Sequence, residues 1–394
     1  MASSSQVIAP PDTEALMEIV SSATARGTSI QVTGGDTKAS IGRPDRQTLR
    51  VSMTGFDRII DYDPSELVLT VGAGATLTSI ETLLASDNQM LAFEPYDFAL
   101  LAGGTAGRST IGGVVGAGFA GSRRVSAGNV RDHLLGFTAV SGRGEKFVAG
   151  GRVVKNVTGY DVSKLMCGSW GQLAILTEMT LKVVPRPRAT LTLCATGLED
   201  DSAYRLMTLA MRSQADVAAC AYLPSESPGS ESTVLLRLEG FGPSVDARAQ
   251  LLVDLDAGQL ERLQGEFADS LWLRVRTAES LRVSPAALWR ICVPATRGAQ
   301  VCAAIRGAGG VMLADWGGAL IWASVPNTTK AERVRHMAEQ AGGHATLIDA
   351  PHDYRSSVSA LHPETPAVSA LTKRVKAAFD PAGILDPQRF EAGA

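Results

Sequence analysis

TAGRSTIGGVVGAGFAG (residues 105–121) and GGRVVKNVTGYDVSKLMCGSWGQLAILTEMTLKVVP (residues 150–185) are two glycine-dense stretches separated by a short hydrophobic segment. Glycine at this density lets a backbone take positive φ and approach a ligand closely where side chains would prevent it. The occupant such a surface suits is large, flat and phosphate-bearing.

Upstream, residues 29–32 read as a short buried strand followed directly by TGGDTK (33–38). In such a turn successive N–H groups can point into one concavity, a nest for pyrophosphate oxygens. Gly34 and Gly35 would supply the unusual dihedrals, Thr37 a hydroxyl donor and Lys38 a charge. By itself the segment is equally an ordinary strand-loop turn, because glycine is first a turn residue. It fits neither G-x-G-x-x-G nor the GK[ST] loop, which leaves the Rossmann and P-loop readings without support.

Apolar spacing organises the rest. Residues 12–25 have helical periodicity with Asp12 placed as the cap. Residues 49–53, 59–62 and 67–72 have strand lengths, and 76–86 returns to helical spacing. A hairpin is expected over 133–150 around the turn GRGE, a helix over 159–166 and an alternating strand over 174–183. Pro185 and Pro187 cannot donate to a ladder and mark a boundary. Beyond it come a strand at 191–195, a helix at 203–212, a strand at 234–239 and a helix at 246–263. Strand, helix and strand recur at 319–325, 331–341 and 345–347, and the whole reads as a ferredoxin-like β-α-β-β-α-β cap. A helix over 365–379 returns the chain to the first lobe. The expected domains are 1–187, 188–350 and 351–394, in an α+β fold.

The chain has 394 residues, 45% hydrophobic and 20% charged, with a net charge of -3. These values allow two or three ordinary cores and give no global field for nucleic acid or anionic membrane. Arg123, Arg124 and Arg131 cluster locally, as a solvated basic loop or as a contact for a cofactor or partner. Five cysteines, at 167, 194, 220, 292 and 302, include no C-x-x-C pair. This spacing argues against a zinc ribbon or a cysteine-ligated cluster, and no metal is expected. A reduced, cytoplasmic setting is the expectation. The start has no secretory pattern and no run of ~18 apolar residues occurs, so membrane contact is expected only through a partner.

TGGDTK, VGAGATL (71–77), TIGG (110–113) and GSWGQLAILTEMTLKV (168–183) stand in order and resemble the FAD-binding domain shared by vanillyl-alcohol oxidase and p-cresol methylhydroxylase. AGSRRVSAGNVRDHLLG (120–136) and GGRVVKNVTGYDVSKLMCGSWGQLAILTE (150–178) resemble more closely the E-subunit family of bacterial glycolate oxidase. FDPAGILDPQRF (379–390) is similar to a carboxyl-terminal signature of that superfamily. The resemblance covers about the first half and the tail. It implies a PCMH-type FAD-binding domain of two α/β lobes, with FAD extended between them. Carried over by position, Gly34, Gly35, Asp36, Thr37 and Lys38 would contact the pyrophosphate, and Thr110, Gly112 and Gly113 its second side. Gly116, Gly118 and Ser126 would lie along the flavin, and Ile175 near the adenine or pyrimidine edge. Asp36 departs from the small residue often found there, so its carboxylate must turn away or pair with Lys38 or an arginine. With no histidine or cysteine in the phosphate loop, the FAD is expected to be non-covalent.

Oxidation of a 2-hydroxy acid calls for a base and for cations that hold the carboxylate. None of His133, His336, His344, His352 and His362 sits in the histidine motifs of the superfamily's hydroxyacid dehydrogenases. His133 abuts the glycine-rich segment, and Tyr160 and Lys155 are alternatives, with a structural role the favoured reading of each; the catalytic residues stay unassigned. The resemblance implies an FAD-binding subunit of a glycolate oxidase complex, partnered by a sister FAD-binding catalytic subunit and an iron–sulfur subunit, and peripheral at the inner membrane through that complex. Two other readings stay open: a self-sufficient FAD-dependent 2-hydroxyacid oxidoreductase, and a non-catalytic structural subunit of the same fold.

Overall fold

The computed structural model describes residues 7–44, 47–95, 97–102, 104–151, 160–225, 230–255, 260–282 and 286–390. The chain opens with β1 (Val7–Ile8), α1 (Thr13–Arg26), β2 (Ile30–Thr33) and β3 (Leu49–Ser52). Asp12 caps α1 by accepting from the Ala15 amide at 2.8 Å, and Gly27 ends the helix in the left-handed region. The three strands form a parallel sheet in the order β1-β3-β2. Leu16, Val20 and Ala23 of α1 lie one helical turn apart and bury against Ile30 and Val51.

A second sheet follows: β4 (Ile59–Asp63), β5 (Val68–Gly72), α2 (Leu77–Ser86), β6 (Gln89–Met90), α3 (Phe98–Ala102), α4 (Ile111–Ala117), α5 (Arg124–Ala127), α6 (Val130–His133), β7 (Leu134–Ser141), β8 (Lys146–Gly150), α7 (Val162–Met166) and β9 (Ala174–Lys182). The order β4-β5-β9-β7-β8 is antiparallel throughout. The expected hairpin is β7–β8, closed at Val140 and Lys146. The expected helix over 159–166 begins at Val162, after Asp161 caps it, and residue 159 lies outside the described residues.

β10 (Val184–Pro185) pairs with β6. The chain then builds one eight-stranded sheet from β11 (Ala189–Thr196), α8 (Asp200–Arg212), β12 (Ala219–Leu223), β13 (Thr233–Gly240), α9 (Gly242–Leu255), β14 (Glu261–Leu263), α10 (Gly265–Thr277), β15 (Ala286–Cys292), α11 (Gly298–Gly307), β16 (Val311–Asp315), β17 (Leu320–Pro326), α12 (Ala331–Gln340) and β18 (His344–Asp349). Its order is β14-β11-β13-β12-β16-β17-β15-β18. The ferredoxin-like succession is therefore present twice, side by side, joined through β12 and β16. Sequence patterning runs the two together because β12 (ACAYL) is buried at every position and does not alternate. The helix expected at 246–263 stops at Leu255, and its last residues form the edge strand β14.

α13 (His352–Ser357) and α14 (Pro366–Phe379) lead into the tail. Ile30 donates to the Ile384 carbonyl at 2.7 Å and Asp386 donates to the Ile30 carbonyl at 2.8 Å, so the tail extends the first sheet beside β2. The buried Asp380 carboxylate holds this turn by accepting from Ile384 and Leu385 amides at 3.1 and 2.8 Å.

Candidate functional site

A cavity opens where the end of β2, the start of α4 and the turn before β9 converge. Gly34, Gly35, Asp36, Thr37 and Lys38 form one wall, Thr110, Gly112, Gly113 and Gly116 a second, and Ile175 lies on a third. The two glycine segments touch. A Cβ on Gly34 would fall 2.1 Å from Thr110 Oγ1, and one on Gly35 would fall 1.5 Å from the Arg108 carbonyl oxygen. Neither glycine takes positive φ; that conformation belongs to Asp36, at 59°. The expectation that Gly34 and Gly35 supply unusual dihedrals is thus corrected: they are small so that the loop can pack against the Thr110 side chain and the Arg108 backbone.

Asp36 turns its carboxylate out to Arg50, 2.5 Å away, which removes it from the phosphate-facing side. Thr37 Oγ1 lies 3.1 Å from Ser109 Oγ, which donates to Asp97 at 2.6 Å. Lys38 reaches into the cavity beside the ring of Phe98, 5.4 Å from its centroid. Among the described residues it makes no salt bridge within 4 Å. Burial pushes its ammonium down to about 8, with Asp97 opposing and Arg389 reinforcing the shift.

Two expected contacts lie elsewhere. Gly118 is the left-handed cap of α4, where a Cβ would sit 3.1 Å from Gly168, so it serves close packing of two glycine segments. Ser126 Oγ donates to the Ala218 carbonyl at 2.9 Å, toward the eight-stranded sheet and outside the cavity wall. His133 is buried with Nε2 2.8 Å from the Ala127 carbonyl, its ring against Phe93, and burial lowers its pKa. Nothing brings it to the cavity. Tyr160 is 96% exposed, and Lys155 lies outside the described residues.

Arg389 is a cavity residue that sequence reasoning passed over. Its guanidinium donates to the Ile41 and Lys38 carbonyls at 3.2 and 3.0 Å and stacks over Trp170 at 4.8 Å. It lies inside the tail signature, but only the return of the tail beside β2 brings it to the phosphate loop.

Residues 4–150 match the family model described as an FAD binding domain. The chain is 35% identical over 384 residues to glycolate oxidase subunit GlcE of Escherichia coli, covering 96% of this chain and 97% of that one. The chain belongs to the GlcE family of FAD-binding oxidoreductases. The glycolate oxidase subunit GlcD of Bacillus subtilis is a more distant relative, 27% identical over 66% of this chain and 53% of its own. A D-2-hydroxyglutarate dehydrogenase of Xanthomonas citri is 32% identical over 45% of this chain and 36% of its own. A solved structure of alkyldihydroxyacetonephosphate synthase superposes with a TM-score of 0.70 over 97% of this chain and 75% of that one; at 16% identity it speaks for the fold alone.

The cofactor of this family is FAD, and the cavity's chemistry fits it. A partly buried lysine held below its ordinary pKa has unspent affinity for an anion. Gly116 has no atom within 4 Å of where a Cβ would stand, which leaves the wall flat for an extended ligand. The Asp36 carboxylate, which would repel a diphosphate, is neutralised by Arg50.

Proposed function

We propose that this chain is the FAD-binding subunit of a glycolate oxidase complex, oxidising glycolate to glyoxylate with a sister FAD-binding catalytic subunit and passing electrons to an iron–sulfur subunit. The observation that carries the reading is the near full-length match to subunit GlcE, joined to a cavity whose walls suit FAD. The scattered cysteines, without C-x-x-C spacing, support an electron acceptor on another chain. Among the described residues no helix is long and apolar enough to cross a membrane.

In this reading FAD, when bound, supplies the hydride acceptor. Lys38 would neutralise the pyrophosphate, and Gly34, Gly35 and Gly112, by letting the two loops pack closely on their neighbours, would set the loop backbones around it. Thr37 and Thr110 orient these loops, while Arg389 locks the tail onto them and stacks on Trp170. The chain expressed alone is expected to hold about one FAD per chain, released on acid precipitation, with little glycolate-dependent dye reduction until the sister and iron–sulfur subunits are added. Robust glycolate turnover by the isolated chain would replace this reading with the self-sufficient oxidoreductase. A chain purified without flavin, and unable to take it up, would leave the structural-subunit reading.

A further inference from the structure

The eight-stranded sheet turns one face to the FAD-binding half. From that face Arg237 meets Glu94, Asp315 meets Ser122, and Arg290 meets Phe119. Arg237 is ion-paired, with Glu94 at 2.9 Å and Glu239 at 3.0 Å. Arg290 is different. It is only 8% exposed, yet among the described residues its guanidinium has no hydrogen bond and no carboxylate partner. Its surroundings are aromatic: Phe119 and Trp316 each lie 5.0 Å from the guanidinium carbon. These cation–π contacts use none of the guanidinium's N–H donors, which are left without a partner among the described residues.

A second arginine shares the same indole. Arg124 stands 4.5 Å over the Trp316 ring, also without a carboxylate partner among the described residues. The nearest acid acting on it, Asp132, is committed to the Asn129 amide at 2.9 Å. His344 completes the group. It pairs with Cys292 across β15 and β18, and Cys292 is two residues from Arg290, so all three project from one face. Burial lowers the pKa of His344, and Arg290 and Arg124 lower it further, so a neutral imidazole stands beside two guanidiniums. Phe119, which Arg290 stacks upon, also meets Trp170 of the cavity wall edge to face at 5.7 Å. The cluster is therefore one aromatic ring away from the cofactor cavity.

We infer that Arg290 and Arg124 form a carboxylate clamp, with His344 beside it to take the hydroxyl hydrogen bond, and that this chain itself binds a small 2-hydroxy carboxylate there. The clamp deepens the glycolate oxidase reading, since it gives this subunit a substrate-class site of its own besides any on its sister. Planar, bidentate donors match a carboxylate. A neutral imidazole nitrogen accepts a hydrogen bond that acetate cannot offer.

The test is a titration of the full FAD-loaded chain with glycolate, acetate and inorganic phosphate, read by calorimetry and by the change in the flavin visible spectrum. Saturable glycolate binding, tighter than acetate or phosphate, is expected. Arg290→Met and Arg124→Met should each weaken it about tenfold or more, with flavin content unchanged. His344→Leu should remove the preference for glycolate over acetate. Arg124 is exposed, so its variant decides the matter should Arg290→Met fail to fold. No glycolate binding by the parent chain, or unchanged affinity in Arg124→Met, overturns the clamp. Phosphate binding as tight as glycolate overturns its carboxylate assignment. The readout is binding to one chain, so failure to assemble with other subunits would count against the complex and leave the clamp standing.

Discussion

The carbonyl oxygen of Arg108 occupies the space that any side chain on Gly35 would need, 1.5 Å from the position of a Cβ. The obstacle at Gly35 is thus the protein's own backbone. Gly35→Ala is expected to destabilise the chain by about 1–3 kcal/mol or more and to lose FAD with it, in a melting experiment with and without the cofactor. Gly116→Ala is the contrast, since its Cβ would meet no protein atom. That variant should melt like the parent without FAD and bind FAD about tenfold or more weaker. Full FAD affinity in Gly116→Ala would remove this wall from the cofactor site.

Lys38 gives FAD affinity a pH dependence with a definite sign. Its ammonium, held at about 8 in the empty site, loses its charge above that pH. FAD binding should weaken as pH rises through 8, by up to about tenfold per unit, and Lys38→Met should bind weakly with a flat profile. Folding responds in the opposite direction. A lysine held below its ordinary value of 10.5 costs stability in full below about 8, and that cost is relieved as pH rises from 8 to 10.5. FAD-free protein should gain stability over this window, and the gain should vanish in Lys38→Met.

Arg50 and Asp36 form a partly exposed pair, so its direct effect on stability is about 1 kcal/mol or less. Its effect on the cofactor is indirect: Arg50→Ala leaves an uncompensated carboxylate on the phosphate loop. FAD affinity should fall several-fold in Arg50→Ala and recover in Arg50→Ala with Asp36→Asn. Equal losses in the single and double variants, measured by flavin titration, would show that the carboxylate freed from Arg50 does not reach the phosphates.

The junction between the halves rests on Glu94 and Arg237, joined by two hydrogen bonds at 3.0 and 2.9 Å. Burial alone would raise the Glu94 pKa, but Arg237 and Arg123 outweigh it and hold the carboxyl at about 2. Its stabilisation is present above the ordinary glutamate value of 4.5 and lost as pH falls from there toward 2. Arg237→Met should cost about 3–5 kcal/mol in denaturant unfolding by stranding buried carboxylates. The variant should also lose the part of the acid-unfolding slope that falls between pH 4.5 and 2.

Local pattern determined a good deal of this protein from the sequence alone. Helical spacing and the Asp12 cap placed α1, alternation placed β9, the GRGE turn placed the β7–β8 hairpin, and TGGDTK and TIGG marked segments that both line the cavity. These are short-range matters, set by side-chain period and by where glycine is tolerated. Strand partnership is a long-range choice, and it made one expected ferredoxin-like unit into two sharing a sheet, because uniformly buried strands such as β12 show no period to read. Tertiary structure alone decided which residues meet. It brought Arg389 from the tail to the phosphate loop, withdrew Ser126 and His133, and set Arg124 and Arg290, 166 positions apart in sequence, on one indole. A charge's partners depend on packing across the whole chain, and no local spacing records them.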